Sequence, residues 1–152
     1  LVQGSPERFI SAFSDAMIAA QNMVVAAESL GMGTVYLGSI LNDNAKLSEL
    51  LKLPKYVYPA VGLAVGWPDQ EPQLKPRLPR HVIHMENYYQ DLEHPLEELK
   101  DYDAEVHEYY DLRDLNNRVD EFTTQIAKTM DQSVANRANT LKDLQKQGFF
   151  TD

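Results

Sequence analysis

The stretch GMGTVYLGSI, Gly31 to Ile40, decides how the first half of the chain is organised. Its first eight residues hold three of the seven glycines of the chain. Between two of these glycines, Thr34 to Leu37 are β-branched, aromatic or apolar, which predicts a short strand. Gly38 would let the backbone approach a ligand closely at the end of that strand. A simple turn from strand to helix is the alternative that these residues leave open.

A long helix is expected before this strand. Ser5 suits the N-cap, Pro6 suits the first helical position, and Gly31 supplies the stop. The expected length is roughly 25 residues, which is long for a globular helix. Such a helix, apolar on more than one face, is typical of a core or a subunit interface. Its apolar residues at helical spacing are Ile10, Phe13, Met17, Ala20, Val24 and Ala27, and Met23 and Val25 lie off this stripe.

The residues after the stretch predict a mostly helical chain. Asn42 to Asn44 can cap a short helix that ends before Pro54. The apolar run Ala60–Val65 indicates a buried strand with cover on both sides. We therefore predict one α+β domain over residues 1–152, with a small sheet. Its later segments are a brief segment of extended backbone at His81–His84, a helix from Pro95, a loop at Asp111–Arg118, and helices at Asp120–Met130 and Val134–Gln147 with Gly148 as the C-cap.

Charge is unevenly spread along the chain. The net charge is −9 at pH 7, and residues 86–121 hold thirteen of the 23 acidic residues but three of the 14 basic ones. Nucleic-acid affinity comes largely from Lys and Arg that neutralise phosphates, so this acidic middle argues against DNA or RNA as a partner. Most of these charges are interpreted as a solvated helix face.

The sequence predicts a soluble, cytoplasmic protein with no membrane partner. No apolar run approaches the length of a bilayer span, and the N-terminal residues lack a basic region followed by an apolar stretch. The chain has no cysteine, which excludes disulfides, zinc–thiolate sites and thiol nucleophiles within it.

A small cationic cluster lies on a proline-rich segment of this acidic chain. Lys75 and Arg77 flank Pro76, whose extended geometry sends both side chains to roughly the same side. Two cations that converge with little conformational entropy to lose suit a phosphate monoester. The alternative is a solvated basic loop paired with Asp69 or Glu71.

Other charged residues give weaker signals. Arg113 and Arg118 lie in the most acidic region, where ion pairs with neighbouring aspartates are the default and a second anionic ligand is the alternative. The four histidines show no metal-ligand spacing and no adjacent serine nucleophile. The acidic residues are too many to single out an acid/base pair. We therefore predict no metal site and no catalytic side chain. The sequence also contains no GxxxxGK[ST] loop, so hydrolysis of ATP or GTP is not supported.

Three stretches in this order resemble one known family: AAQNMVVAAESLGMGTVYLGSI, VGLAVGWPDQEPQLKPRLP and EYYDLRDLNNR. They are similar to the FMN-dependent nitroreductases, in the branch of NADPH-dependent flavin reductases and oxygen-insensitive nitroreductases. The resemblance covers nearly the whole chain and matches the C-terminal part of family members. Their N-terminal segment, with a His-Arg-Ser-x-Arg-type motif that grips FMN, has no counterpart here. The resemblance implies a small mixed sheet flanked by helices and an intertwined homodimer with FMN at the interface.

The same resemblance implies an activity and residue roles. The activity is transfer of a hydride from NADPH through FMN to nitroaromatics, quinones or flavins, chemistry that the cofactor carries and that needs no acid/base pair. The implied roles are contact with the isoalloxazine ring for Tyr36, Leu37, Gly38 and Ser39, FMN phosphate binding for Lys75 and Arg77, and binding of the NADPH 2′-phosphate for Arg113 and Arg118. Arg80 matches no role.

Two alternatives stay open from the sequence. One is a non-enzymatic helical interaction protein with an acidic face, in which Lys75 and Arg77 only balance nearby carboxylates. The other is an inactive fragment that binds no FMN. A flavin absorption spectrum separates the enzyme from the interaction protein.

Overall fold

A computed structural model of the chain describes residues 3–113, 121–131 and 137–151, with the backbone alone at 111–113 and 131. Residue contacts divide the chain into two compact units. Unit 1 combines Leu1–Glu71 with Ser133–Asp152, and unit 2 is Pro72–Gln132. That the two units together form one domain stays a prediction.

The α+β class is confirmed, with helices far outnumbering strands in the described residues. The elements in chain order are α1 (Pro6–Ser29), β1 (Gly33–Leu37), a 3₁₀ turn (Gly38–Asn42), α2 (Asn44–Leu50), β2 (Gly62–Gly66), α3 (Arg80–Ile83), α4 (Pro95–Glu98), α5 (Lys100–Arg113), α6 (Phe122–Asp131), a second 3₁₀ turn (Arg137–Asn139) and α7 (Thr140–Lys146).

The bounds predicted for the long first helix are confirmed. The Ser5 hydroxyl accepts a hydrogen bond from the Arg8 N–H at 3.4 Å, and Pro6 is the first helical residue. At the other end, Gly31 has a φ of +79°, which favours glycine. The Met32 N–H reaches back to the Ala27 carbonyl at 3.0 Å, which closes the helix. Local cap chemistry therefore sets both ends of α1.

The burial expected for α1 is confirmed on one stripe only. Ala20, Val24 and Ala27 are buried, whereas Ile18 is 69% exposed and Met23 is 59% exposed. By length and composition α1 is also apolar enough to cross a membrane, so the prediction that no apolar run approaches that length is wrong. Core helices of soluble proteins and signal sequences meet the same criteria of length and composition, so these criteria alone do not indicate a span.

The sheet that follows α1 has two antiparallel strands in the described residues. Tyr36 pairs with Leu63, and Leu37 pairs with Gly62. The predicted mixed sheet needs a parallel pair as well, and none is present in the described part of the chain. Cover on both faces of β2 is also not observed, since Val65 is 43% exposed. A two-stranded sheet lacks neighbours to cover it, which explains the difference.

The remaining helices of unit 1 are α2 and α7. The Asp43 carboxylate accepts a hydrogen bond from the Lys46 N–H at 3.0 Å and so caps α2, as predicted. Of the helix predicted at Val134–Gln147, the described residues form a 3₁₀ turn at Arg137–Asn139 and α7 from Thr140, and Gly148 ends it with a φ of +92°. The predicted start at Val134 lies outside the described residues. Beyond this end, the Phe149 ring packs edge-on against Phe9 with centroids 5.1 Å apart.

Unit 2 has its own apolar core, formed by Leu99, Tyr102 and Val106. Two predictions for this unit are wrong. The segment at His81–His84 is helical through α3, because Pro79 starts a turn whose carbonyl accepts from the Val82 N–H at 3.0 Å. Asp111 to Arg113, predicted to open a loop, belong instead to α5, and the rest of that predicted loop lies outside the described residues.

Two predicted helical segments of unit 2 are present, and two hydrogen bonds join them. The helix predicted from Pro95 is present as α4 and α5, which break at Leu99. The helix predicted at Asp120–Met130 is present as α6. Asp103, buried on α5, accepts hydrogen bonds from the Thr123 N–H at 3.0 Å and the Thr123 hydroxyl at 2.6 Å. These bonds hold the first turn of α6, whose N–H groups lack intrahelical partners.

Candidate functional site

The turn at the end of β1 holds the four residues predicted to meet a flavin ring. Tyr36 and Leu37 end the strand, and Gly38 and Ser39 open the 3₁₀ turn. The Tyr36 hydroxyl donates a hydrogen bond to the Gln21 side-chain oxygen on α1 at 3.1 Å. That bond fixes the direction of a ring that is 44% exposed. The four residues are therefore contiguous at one sheet end and face solvent, as a binding surface must.

An apolar hollow of about 360 Å³ lies against this turn. Phe13 and Met17 of α1 form part of its wall, and Ala60 and Val61 line it just before β2. The volume and the apolar walls are typical of sites that bind small aromatic molecules. A planar ring such as isoalloxazine therefore fits the chemistry of this hollow. Its lining residues are Phe13, Met17, Tyr36, Leu37, Gly38, Ile40, Leu41, Ala60 and Val61.

Sequence reasoning missed the side chain that braces the turn. Arg137 donates from Nε and Nη2 to the Asn42 side-chain oxygen, at 3.1 and 2.8 Å. Its Nη2 also donates to the Gly38 carbonyl at 3.2 Å. Arg137 lies 95 residues after Asn42, and no local pattern in the sequence links the two. Only the folded chain brings them together.

The cationic cluster of unit 2 is held by tyrosines. The Lys75 ammonium donates to the Tyr110 hydroxyl at 2.8 Å and lies 5.1 Å from the centroid of that ring. The Tyr102 hydroxyl donates to the Pro76 carbonyl at 3.3 Å, which anchors the residue between the two cations. Lys75 and Arg77 are both exposed. One buried tyrosine, Tyr102, and one half-buried tyrosine, Tyr110, thus orient a segment that has no regular secondary structure.

The alternative in which carboxylates neutralise this cluster is not observed. Within residues 3–113, 121–131 and 137–151, no ion pair joins Lys75 or Arg77 to an acidic residue. Among the described residues, no carboxylate therefore competes with a ligand for these two cations. A phosphate, which accepts several charge-assisted hydrogen bonds, suits such a pair.

The acidic part of unit 2 has a different character. A hollow of about 760 Å³ is lined there by four carboxylates and two histidines. The His81 Nε2 atom lies 3.9 Å from a Glu98 carboxylate oxygen, and the other Glu98 oxygen accepts from the His94 N–H at 3.1 Å. No group of three or more potential metal ligands converges in the described residues. The absence of a metal site and of a catalytic side chain stays a prediction.

The predicted site residues fall into three groups. Tyr36 to Ser39 belong to unit 1, and Lys75 and Arg77 belong to unit 2. The side chain of Arg113 and the whole of Arg118 lie outside the described residues. The roles of all eight residues stay predictions.

Family models match both parts of the chain. Residues 2–67 match the nitroreductase family, and residues 75–152 match the C-terminal domain of the nitroreductase family. The second match covers more than half of the chain and includes the cationic cluster.

Curated relatives carry concordant names. The chain is 43% identical over 148 residues to an oxygen-insensitive NADPH nitroreductase of Salmonella typhimurium, covering 97% of this chain and 60% of that protein. It is 40% identical over 148 residues to an NADPH-dependent oxidoreductase of Staphylococcus aureus, covering 95% and 58%. The chain therefore spans about three-fifths of the length of these relatives.

Solved structures show the same fold. An NADPH:FMN oxidoreductase from Vibrio harveyi, solved with NAD⁺, matches with a TM-score of 0.85 and 32% identity, over 100% of this chain and 60% of that one. NfrA2 of B. megaterium matches with a TM-score of 0.84 and 35% identity, over 98% and 59%. Together with the family models, these matches show that the chain belongs to the nitroreductase family.

Proposed function

We propose that this chain is part of an FMN-dependent NADPH oxidoreductase that reduces nitroaromatics, quinones or flavins. The observation that carries the proposal is the apolar hollow beside Tyr36, Leu37 and Gly38, at the end of β1. The names of the relatives, which include an NADPH nitroreductase and an NADPH:FMN oxidoreductase, support it. Bound FMN would supply the redox chemistry, accepting a hydride from NADPH and passing electrons to the acceptor.

The unit 1 side chains would bind and orient the ring. Phe13 and Met17 offer an apolar surface that excludes water from one part of the hollow. Tyr36, held by Gln21, presents an oriented aromatic ring, and aromatic pairs favour offset or edge-on contact. Gly38 has no atom within 4 Å of where a Cβ would stand, so the backbone at this point is open to a ligand.

The unit 2 cations would bind the phosphate of FMN. Lys75 is a flexible point charge, and its contact with Tyr110 reduces the rotamer freedom that binding would otherwise remove. Arg77 offers a planar set of donors that suits phosphate oxygens. Neither needs to break an ion pair within the described residues before it binds.

Arg113 and Arg118 would bind the 2′-phosphate of NADPH. This assignment rests on their place in the stretch EYYDLRDLNNR. A 2′-phosphate distinguishes NADPH from NADH, so these arginines would set the preference between the two donors.

Assembly as a homodimer in the cytoplasm belongs to the same proposal. The support within the chain is α1, where Ile10, Ile18 and Val25 fall on one side of the helix and are each more than half exposed. Exposed apolar surface on a helix face can mark an interaction site. A small-molecule electron acceptor is the other expected partner.

A flavin spectrum of the purified full-length gene product tests the proposal. We expect visible flavin absorption bands, retained after gel filtration, and NADPH oxidation that depends on an added nitroaromatic or quinone. A colourless protein that takes up no added FMN would contradict the proposal and favour a non-enzymatic interaction protein. A coloured protein that does not oxidise NADPH would support FMN as the cofactor and contradict NADPH as the electron donor.

A further inference from the structure

We infer that Arg137 is a positioning residue for the Gly38–Asn42 turn, the flavin-facing turn, which is proposed to meet the flavin ring. Its guanidinium fixes the orientation of the peptide between Gly38 and Ser39. The inference rests on the proposed function, since it assigns Arg137 to the same site.

The arrangement of the three hydrogen bonds from Arg137 to the turn, the Arg137 brace, is specific to arginine. Three hydrogen bonds leave one guanidinium plane, two to the Asn42 side-chain oxygen and one to the Gly38 carbonyl. Gly38 and Asn42 are the first and last residues of the 3₁₀ turn, so Arg137 ties both ends of the turn to one group. A lysine, with a single point charge on a flexible stem, cannot present this fork.

The contact to the Gly38 carbonyl determines where the neighbouring N–H points. In a trans peptide the carbonyl and the N–H of one peptide plane point in opposite directions. Arg137 on the carbonyl side therefore sets the Ser39 N–H to the opposite side. Gly38 itself lines the apolar hollow, so this peptide is part of the wall that would meet the ring.

Among the residues that the structure describes, Arg137 has no competing partner that explains its position. Within the described residues it forms no ion pair, and its hydrogen bonds go to the turn and to no carboxylate. The side chain is exposed, so burial does not account for its placement either. Charge-assisted hydrogen bonds to neutral acceptors are the interactions that hold it.

The test measures FMN affinity of the full-length protein by fluorescence titration, with the visible spectrum of the bound flavin as the second readout. Arg137→Ala is expected to weaken FMN binding about tenfold and to shift the flavin absorption bands. Arg137→Lys should lose most of the same affinity. Lys142→Ala removes an exposed cation of α7 outside the brace, and it should change FMN affinity by less than about twofold.

A double-mutant cycle with Asn42 separates positioning from general stability. Asn42→Ala removes two of the three hydrogen bonds and should weaken FMN binding about threefold. If Arg137 acts through the turn, the double variant should bind no worse than Arg137→Ala alone. Asn42→Asp keeps the acceptor and should bind FMN like the wild type.

The outcomes are distinct. Arg137→Ala that lowers the melting temperature but leaves FMN affinity and the flavin spectrum unchanged would overturn the inference. Additive losses in the cycle would also overturn it, because the two residues would then act independently. A wild-type protein that binds no FMN would overturn both this inference and the proposed function. Arg137→Ala indistinguishable from an FMN-binding wild type would overturn the inference alone.

Discussion

The turn at Gly38–Asn42 in unit 1 and the segment at Lys75–Arg77 in unit 2, each proposed to bind FMN, are built differently. The turn follows a hydrogen-bonded strand and is tied at both ends by Arg137. The cationic segment has no ladder or helix and depends on two tyrosine hydroxyls. One region is positioned by a strand ladder together with one guanidinium, and the other is positioned by tyrosine side chains.

This difference matches what each end of the ligand would need. A ring that exchanges a hydride requires a fixed distance and orientation, and misplacement of about 1 Å in such a site costs large factors in rate. A phosphate tolerates more freedom, because its charge acts over several ångströms. Rigidity would therefore be concentrated where the chemistry occurs.

Removal of both cations should have the largest effect. Lys75→Ala and Arg77→Ala are each expected to weaken FMN binding about tenfold, and the double variant about a hundredfold. Added salt should reduce the wild-type affinity more than that of the double variant, since exposed charges are screened. Fluorescence titration of FMN at two salt concentrations measures both effects.

Arg80 provides the control for this comparison. It is the third cation of the same segment and has no matched role, so Arg80→Ala should leave FMN affinity within about twofold of the wild type. Equal losses from all three substitutions would show that the segment acts by net charge alone. Phosphate binding by this segment would then depend on its net positive charge and would not require a specific contact from Lys75 or Arg77.

A substitution at Gly62 should disturb the packing at the Gly38–Asn42 turn. An added Cβ would lie 2.8 Å from the Cγ2 atom of Ile40, within the Gly38–Asn42 turn, and 3.0 Å from the Cβ atom of Leu37, which directly precedes that turn. We expect Gly62→Ala to lower the free energy of unfolding by about 1–2 kcal/mol. Chemical denaturation monitored by circular dichroism measures this loss.

The same strand supplies a matched control for Gly62. Gly66 also lies in β2, and nothing stands within 4 Å of its added Cβ. Gly66→Ala should therefore change the free energy of unfolding by less than about 0.5 kcal/mol. If both variants lost the same stability, close packing at the turn would not be the cause.

Loss of the Tyr110 hydroxyl should have the smallest effect. Tyr110→Phe keeps the ring beneath Lys75 and removes only the acceptor at 2.8 Å. An exposed contact of this kind contributes little, so FMN affinity should fall about twofold. Tyr88→Phe, which removes a hydroxyl from a ring that is 80% exposed, is the control. A loss as large as that of Lys75→Ala would mean that the hydroxyl holds the ammonium in place.

Local chemistry made much of the fold predictable. Ser5, Gly31, Asp43 and Gly148 act within one turn of the helices that they begin or end, and each is observed in its predicted role. The burial of β2 was predicted wrongly, because a run of apolar residues does not reveal how many strands a sheet has. The short helix α3 was missed because four residues carry no helical period.

The candidate site was predictable where its residues are contiguous. Tyr36–Ser39 and Lys75–Arg77 are short segments that a sequence pattern can indicate. The contacts that hold them come from Gln21, Arg137 and Tyr110, which lie 15 to 99 residues away in the chain. No periodicity or cap predicts such pairs, so the supporting side chains appear only in the folded structure.

Because unit 1 joins Leu1–Glu71 to Ser133–Asp152, the order of synthesis matters for the turn. A ribosome adds roughly 5–20 residues per second, so Arg137 follows the end of the first segment by roughly 3–13 s. During that interval β1 and β2 are complete, but the Gly38–Asn42 turn lacks its guanidinium and Phe9 lacks Phe149. The Gly38–Asn42 turn would thus reach its final form only after the whole of unit 2 has been synthesised.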